Sequence, residues 1–372
     1  MDVILPGTRL LDLIIGEKLG RGAFGDIFPA IDNNTGILWA VKTESSSAKH
    51  KTLQFEYQIL SQIQDSPYFP RVGIYRKTNN FSYFSMECLG PSLTTIYSKF
   101  GQRKLSLSTS VRASYHILRC IESFHQFGFI HRDIKPGNIL TREGTEHPIC
   151  LVDFGLSKIY VNAESGQHLK PRVQVGFRGT KPYSSINAHK SQDLSRRDDV
   201  ISWFYVSYEM IVGPLPWKAM QERYQLIQEK QKFGDEILNN PPIPELGQIY
   251  NHISQLGFTD TPNYTEIYHL LMQILQKNGI TDINEPYDWI DILRSNRRRI
   301  ASHLEKIKNK TDGKTDILDA NEIKNIDENS YISRNIDSDI IDQPLLSPQV
   351  TAPAPFSQAT DQESICCFCN VC

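Results

Sequence analysis

The residues best suited to chemistry lie in the middle of the chain, in His131-Arg132-Asp133 and the residues that follow it. Asp133 can accept a proton from a hydroxyl group, Lys135 adds a cation, and Asn138 can bind a metal ion through its amide oxygen. Further along, Asp153-Phe154-Gly155 supplies a second metal-binding carboxylate. Groups of these types position the phosphates of ATP while Mg²⁺ neutralises their charge. The pattern H-R-D-x-x-x-x-N followed by D-F-G therefore predicts phosphoryl transfer.

A structural role for the two carboxylates is the alternative. An isolated aspartate more often orders a turn or caps a helix than takes part in catalysis. Here Asp133 and Asp153 belong to a set of fixed positions, and upstream residues with matching roles accompany them. We therefore prefer the catalytic interpretation.

A glycine-rich stretch near the start of the chain is the first of these upstream features. It has the form G-x-G-x-x-G and lies between two strand-like runs, whereas a dinucleotide site would place a helix after the glycines. A hairpin turn without a ligand remains the alternative. The candidate nucleotide contacts here are Leu19, Gly20, Gly22, Gly25 and Ile27. Pro29 removes a donor from the second strand, which predicts a bulge or an edge position there.

A lysine and a glutamate form the second upstream feature. The run from Leu38 to Val41 predicts a strand that ends at Lys42, which matches the V-A-I-K pattern whose lysine holds the nucleotide phosphates. Glu56 lies fourteen residues further on, in a segment whose apolar spacing predicts a helix with one inward face. An exposed lysine and a solvated glutamate are the alternatives. The pairing of Lys42 with Glu56 is what the nucleotide-binding interpretation requires.

The next apolar strand ends in a Gly-Pro sequence and is followed by a helical segment, as expected of a hinge between two lobes. We expect the adenine ring to bind backbone groups of residues 87–89, which include Glu87 and Leu89, with Met86 at the back of the pocket and Ala40 lining it. These side chains could equally be part of the core.

The segment from Asp199 to Val212 is apolar on nearly every face, which predicts a helix buried all round in the larger lobe. Asp199 could cap this helix or reach back to the backbone of the catalytic loop, and capping is the commoner use. An arginine cluster near residue 297 is interpreted as a solvated helix face rather than a nucleic-acid site, because no aromatic residues are interleaved with it.

Composition divides the chain into a body and a tail. Residues 311–372 carry 3 basic and 11 acidic side chains, against 37 and 31 in the first 310 residues. The tail is polar and rich in proline, which predicts disorder, and its charge predicts attraction to the basic body. A hypothesis that follows is that the tail folds back on the body and inhibits it, and the sequence leaves this open.

The seven cysteines indicate the compartment. Three are scattered through predicted core elements and no signal peptide is recognised, which predicts free thiols in a reducing environment. The other four are candidate lipidation sites, and we expect a cytoplasmic protein that such lipids can attach to the cytosolic face of a membrane. A Cys₄ zinc site is a weaker alternative. The four tail cysteines are Cys366, Cys367, Cys369 and Cys372.

The chain resembles eukaryotic protein kinases of the casein kinase I family. The segments that carry this resemblance are Leu89-Gly90-Pro91-Ser92-Leu93, Ser185-Ile186-Asn187 in place of Ala-Pro-Glu, and Arg196-Arg197-Asp198-Asp199. Within that family the chain is similar to the tau-tubulin kinase branch, through Gly176-Phe177-Arg178-Gly179-Thr180, Phe204-Tyr205 and Pro286-Tyr287-Asp288-Trp289. The resemblance covers residues 13–300.

The resemblance implies an α+β, two-lobed protein kinase fold, with an N-lobe at 13–86, a hinge at 87–90, a C-lobe at 91–300 and a disordered tail at 311–372. It implies a monomeric serine/threonine kinase that uses ATP and Mg²⁺ on protein substrates. In this comparison Asp133 is the catalytic base, Lys135 steadies the transferring phosphate, and Asn138 and Asp153 bind Mg²⁺. A catalytically weak pseudokinase acting as a scaffold is the alternative. Pro182 stands where the family carries an arginine that binds acidic substrates, so that preference is left open.

Overall fold

The computed structural model describes residues 4–21, 25–101, 104–143, 146–162, 164–173 and 175–311. The strands are β1 Arg9–Leu10, β2 Leu13–Ile15, β3 Gly20–Arg21, β4 Asp26–Asp32, β5 Leu38–Ser45, β6 Val72–Lys77, β7 Phe81–Glu87, β8 Phe129–Ile130, β9 Ile139–Thr141, β10 Ile149–Leu151 and β11 Lys158–Ile159. The helices are α1 Leu53–Gln62, α2 Leu93–Phe100, α3 Leu107–Gln126, α4 Ile186–His189, α5 Arg196–Ile211, α6 Arg223–Asn239, α7 Pro244–Ser254, α8 Tyr264–Lys277 and α9 Ile290–Thr311. None of the helices in these ranges is both long enough and apolar enough to cross a membrane.

The first seven strands form one antiparallel sheet, in the order β1-β2-β4-β5-β7-β6, with β3 also paired to β4. One face of the sheet buries a compact cluster that includes Val41 and Tyr83. Helix α1 packs against this sheet, where the ring of Tyr57 contacts those of Tyr75 and Phe84. This sheet and α1 constitute the small lobe.

Pro29 lies on an interior strand, so the predicted edge position is wrong, whereas the alternative of a bulge agrees with the pairing on one side. Ile15 pairs with Ala30 and Gly20 with Ile27, so residues 16–19 lie opposite only residues 28–29. Pro29 itself pairs with Ala40 in an unbroken register between β4 and β5. On the other side the carbonyl of Pro29 accepts a hydrogen bond from the N–H of Gly16. The N–H and C=O of one residue point the same way in an antiparallel strand. The missing donor therefore faces the interruption between β2 and β3, where no ladder bond is lost.

The large lobe is helical and is built around α3 and α5. Helix α5 buries Trp203, Phe204 and Tyr205 almost completely, as expected of a helix that is apolar all round. The indole N–H of Trp203 donates to the carbonyl of Ser114 on α3 at 2.8 Å. The predicted two-lobed α+β architecture is thus confirmed, whereas the predicted tail from residue 312 onward lies outside the described residues.

Helix α9 joins the two lobes from outside the hinge. Its first turns bury Leu293 in the core of the large lobe. Its later turns bury Ile300 and Leu304 against Ile14 and Ile31 of the small-lobe sheet. The contacts on both sides are apolar, so separating the lobes exposes hydrophobic surface at this helix. The helix continues without a break through residue 300, where the domain was predicted to end.

Candidate active site

Lys42, Glu56 and Asp153 meet in the cleft between the lobes. Lys42 is buried on β5, and its Nζ lies 2.5 Å from Glu56 Oε2 and 2.9 Å from Asp153 Oδ1. Burial alone would lower the pKa of Lys42, but the two carboxylates outweigh it and raise that pKa. Burial raises the pKa of Glu56 to about 7, with Asp153 adding to the effect and Lys42 opposing it. The cluster places two acids around one base, so a further cation beside Asp153 is electrostatically favoured.

A second network surrounds Asp133. Lys135 Nζ lies 2.5 Å from Asp133 Oδ2 and 3.0 Å from Thr180 Oγ1. Thr180 donates its hydroxyl proton to Asp133 Oδ1 at 2.7 Å. Asn138 donates through Nδ2 to the carbonyl of Asp133 at 3.0 Å and to its carboxylate at 3.2 Å. Both carboxylate oxygens of Asp133 are therefore held in a fixed orientation. Thr180 marks the side of the site from which a substrate hydroxyl would approach.

The backbone of the catalytic loop is held by Asp199. Its carboxylate accepts hydrogen bonds from the N–H groups of His131 at 2.6 Å and Arg132 at 2.8 Å, and from His125 Nε2 at 2.9 Å. These bonds support Arg132, which has a φ of 67°, a region that non-glycine residues rarely occupy. Of the two roles considered for Asp199, the structure shows the reach to the catalytic loop.

Helix α5 is capped instead by Ser195 together with Asp198, the residue before Asp199. Asp198 accepts a bond from the N–H of Ser195 at 2.8 Å, and the two residues form a capping box. The same carboxylate accepts from Ser185 Oγ at 2.6 Å and Asn187 Nδ2 at 2.9 Å. The Ser-Ile-Asn segment is thus anchored to the start of α5 by hydrogen bonds to Asp198.

The catalytic loop and the Asp153 segment are tied together by their backbones. The N–H of Val152 donates to the carbonyl of Asn138 at 3.1 Å, and His131 Nε2 donates to the carbonyl of Val152, also at 3.1 Å. Phe154 packs its ring against those of Phe124 and His131. These contacts keep the Asp133 and Asp153 networks in one site.

The residues predicted to bind metal fit Mg²⁺. Among the described residues, Lys42 is the hydrogen-bond donor to the Asp153 carboxylate. Asn138 uses its Nδ2 group toward Asp133, so its amide oxygen stays available as a ligand. Mg²⁺ prefers oxygen ligands and is commonly held by one or two carboxylates together with substrate phosphates. The described ranges contain no group of three or more His, Cys, Asp or Glu residues that could hold a metal ion by themselves.

The predicted nucleotide contacts lie on neighbouring strands. Gly20 pairs with Ile27, Ile27 pairs with Lys42, and Ala40 pairs with Met86, so these residues share one region of the sheet. A Cβ atom on Gly25 would overlap the carbonyl oxygen of Thr43, so only glycine fits there. Leu19 is about half exposed at the edge of the sheet. Gly22, the remaining glycine of the motif, lies outside the described residues.

Contacts within the hinge limit which of the predicted backbone groups can bind adenine. The N–H of Glu87 already donates to the carbonyl of Arg71 at 2.8 Å, and its carboxylate binds Arg142 through two hydrogen bonds of 2.9 and 2.8 Å. Glu87 can therefore offer adenine only its carbonyl, and the other predicted backbone contacts are those of residues 88 and 89, among them Leu89. The Glu87–Arg142 pair fixes the hinge to the loop after β9.

Asp193 was not singled out from the sequence. It accepts hydrogen bonds from Lys158 Nζ at 2.7 Å and from the N–H and guanidinium of Arg172, both at 3.0 Å. Burial alone would raise its pKa, but these bonds outweigh burial and lower the pKa of Asp193 to about 2. The partners are distant in sequence, so no local pattern indicates the cluster.

Comparison with known proteins agrees with this geometry. The family model for the protein kinase domain matches residues 13–281, and the chain belongs to that family. It is also 35% identical over 277 residues to a probable serine/threonine-protein kinase of Dictyostelium discoideum. That alignment covers 73% of this chain and 55% of the relative, so the chain spans about half the length of the curated protein it matches. The predicted kinase fold is confirmed, and the casein kinase I and tau-tubulin kinase placements stay predictions.

Proposed function

We propose that this protein is a serine/threonine protein kinase that transfers the γ-phosphoryl group of ATP to a hydroxyl group of a protein substrate. The observation that carries the proposal is the joining of two networks in one cleft. Lys42, Glu56 and Asp153 form the first network. Asp133 and Asn138 belong to the second, which is hydrogen-bonded to the segment leading to Asp153.

Each side chain has a role that its contacts support. Asp133 orients the substrate hydroxyl and accepts its proton, while Lys135 stabilises charge on the transferring group. Lys42, held by Glu56, binds the nucleotide phosphates. Asn138 and Asp153 would hold Mg²⁺, which neutralises phosphate charge when it is bound. Positioning and charge stabilisation are the main contributions that a protein makes to this reaction.

Phosphate incorporation from labelled ATP tests the proposal. We expect transfer by the wild-type protein and a loss of at least about a hundredfold in Asp153→Ala, since charge neutralisation is a large part of this catalysis. Phosphoamino-acid analysis should show phosphoserine and phosphothreonine. Equal incorporation by both proteins would refute the enzymatic role and would favour the alternative of a pseudokinase scaffold.

We further propose that the chain belongs to the casein kinase I family, near the tau-tubulin kinase branch. The hydrogen bonds from Ser185 and Asn187 to Asp198 support this placement, because they give the Ser-Ile-Asn segment a structural role. Pro182 replaces the arginine of relatives, while Lys181 donates to the carbonyl of Gln221. Peptide arrays with and without acidic residues near the acceptor will measure whether the acidic preference survives this replacement.

The proposed cellular state is a cytoplasmic monomer that acylation of Cys366, Cys367, Cys369 and Cys372 can attach to a membrane. These cysteines lie outside the described residues, and the proposal rests on their clustering in the sequence. Labelling with a palmitate analogue, compared with a form ending at Ser364, tests the attachment. Equal labelling of the two forms would remove it. Light scattering after size-exclusion chromatography measures the oligomeric state.

A further inference from the structure

We propose that Lys230 is a positioning residue that holds the segment 181–184 in the conformation that binds the protein substrate. The proposal rests on the kinase function proposed above. Lys230 lies on α6, far in sequence from the catalytic motifs, and its side chain is completely buried. It reaches the segment that follows Thr180, whose hydroxyl contacts the catalytic carboxylate.

The ammonium group of Lys230 has three acceptors for its three N–H bonds. Its Nζ lies 3.0 Å from the carbonyl oxygen of Lys181, 2.5 Å from that of Ser184 and 3.0 Å from His189 Nε2. For His189 to accept this bond, its ring must be neutral with the proton on Nδ1. Every N–H bond of the ammonium is thus used on the substrate-binding segment or on the short helix α4 after it.

Two aromatic rings take the place of a carboxylate partner. Lys230 Nζ lies 5.0 Å from the ring centroid of Tyr205 and 5.3 Å from that of Trp217, distances at which a cation is attracted to an aromatic face. Among the described residues, no carboxylate forms a salt bridge with Lys230. A buried ammonium is costly unless it is fully hydrogen-bonded. Burial lowers the pKa of Lys230 to about 7, and the carbonyls of the segment favour its charged form by accepting hydrogen bonds from it.

The conformation of residues 181–184 depends in turn on hydrogen bonds from side chains of the large lobe. Residues 181–184 belong to neither a helix nor a strand, so few backbone partners are available to its carbonyls. Lys230 binds two of these carbonyls, and the indole N–H of Trp217 binds the carbonyl of Pro182 at 2.7 Å. Tyr183 donates its hydroxyl to Glu209 on α5 at 2.7 Å. Removing Lys230 leaves the carbonyl of Ser184 without its donor and leaves His189 Nε2, at 3.2 Å, as the remaining donor beside the carbonyl of Lys181, so the segment is freer to move.

The position of the segment indicates that Lys230 affects the binding of the protein substrate rather than that of the nucleotide. It lies on the large lobe directly after Thr180, whereas Lys42 and the glycine-rich loop lie on the small lobe. A substrate hydroxyl at Asp133 must approach past Thr180 and the residues after it. Loss of Lys230 should therefore weaken the binding of the protein substrate and leave ATP binding unchanged.

The test compares Lys230→Met, which keeps the length and apolar character of the side chain, with the wild-type protein. A buried acceptor left without a donor costs enough free energy to change an equilibrium by about tenfold. We expect the KM for a peptide substrate to rise by about that factor or more, while the KM for ATP stays within about twofold. The matched control is Lys232→Met, since Lys232 lies on the same helix but is mostly exposed beside Glu236. This control should keep both wild-type KM values.

An active Lys230→Met protein with a wild-type peptide KM would overturn the proposal. So would a parallel rise in both KM values, which would indicate general loosening. If circular dichroism shows that Lys230→Met is unfolded, the KM values of Lys230→Gln for the peptide and for ATP test the proposal instead. The amide of this variant retains N–H donors. Its peptide KM should then rise selectively, and by less than tenfold. A wild-type protein that phosphorylates no peptide would instead refute the proposed kinase function.

Discussion

The packing of α9 on the small lobe leads to a test by paired substitutions at Gly16 and Leu304. Leu304 is completely buried in the cluster with Ile14, Ile31 and Ile300. A Cβ atom placed on Gly16 would lie 2.7 Å from Leu304 Cδ2, closer than two carbon atoms can approach without a shift. The space beside Gly16 is therefore filled mainly by the leucine of α9, with Pro29 Cγ at 3.0 Å on the other side.

Each single substitution should destabilise the protein by a different mechanism. Leu304→Ala removes buried methyl groups and leaves a cavity, which costs about 2–5 kcal/mol. Gly16→Ala overpacks the contact and should cost about 1–3 kcal/mol. In the double variant the new methyl group enters the cavity, so the two losses should not add. We expect the double variant to be more stable than the sum predicts by about 1 kcal/mol.

Urea unfolding of the four proteins, followed by tryptophan fluorescence and circular dichroism, gives the required free energies. Gly20→Ala is the control, since a Cβ atom there meets no atom within 4 Å, and it should not couple to Leu304→Ala. Additivity of Gly16→Ala and Leu304→Ala to within about 0.5 kcal/mol would refute direct contact between α9 and the sheet at this point.

Three further predictions concern the large lobe and the tail. Asp199→Asn should lower the free energy of unfolding by about 2–3 kcal/mol and reduce kcat, because an amide cannot accept all the hydrogen bonds that hold the catalytic loop; wild-type values in both assays would contradict this. The lowered pKa of Asp193 means that its stabilising effect is present above about pH 4 and is lost as the pH falls toward 2. Asp193→Asn should therefore flatten the stability profile in that window by about 2–3 kcal/mol, and an unchanged acid unfolding curve would show that Lys158 and Arg172 do not hold the carboxylate. Truncation after Asn309 should raise kinase activity at low salt if the acidic tail inhibits the body, and equal activity would dispose of that inhibition.

Much of the architecture could be predicted from local patterns. The apolar spacing of α1 and the all-round apolar character of α5 indicated helices that the structure contains. The pairing of Lys42 with Glu56 was also predicted, because the strand and the helix that carry them are close in sequence. For Pro29 the local pattern left a bulge and an edge position open, since the choice depends on which neighbouring strand its missing donor would face.

The sequence by itself determined which residue types could perform phosphoryl transfer and which segments would be helix or strand, because spacing and polarity act over short stretches of chain. Only the tertiary structure decided that Asp199 holds the catalytic loop, that Lys230 binds the carbonyls of residues 181 and 184, and that α9 docks on the small lobe. Each of these contacts joins residues from elements far apart in the chain. Such contacts depend on how whole elements pack, and a single local pattern carries no information about that packing.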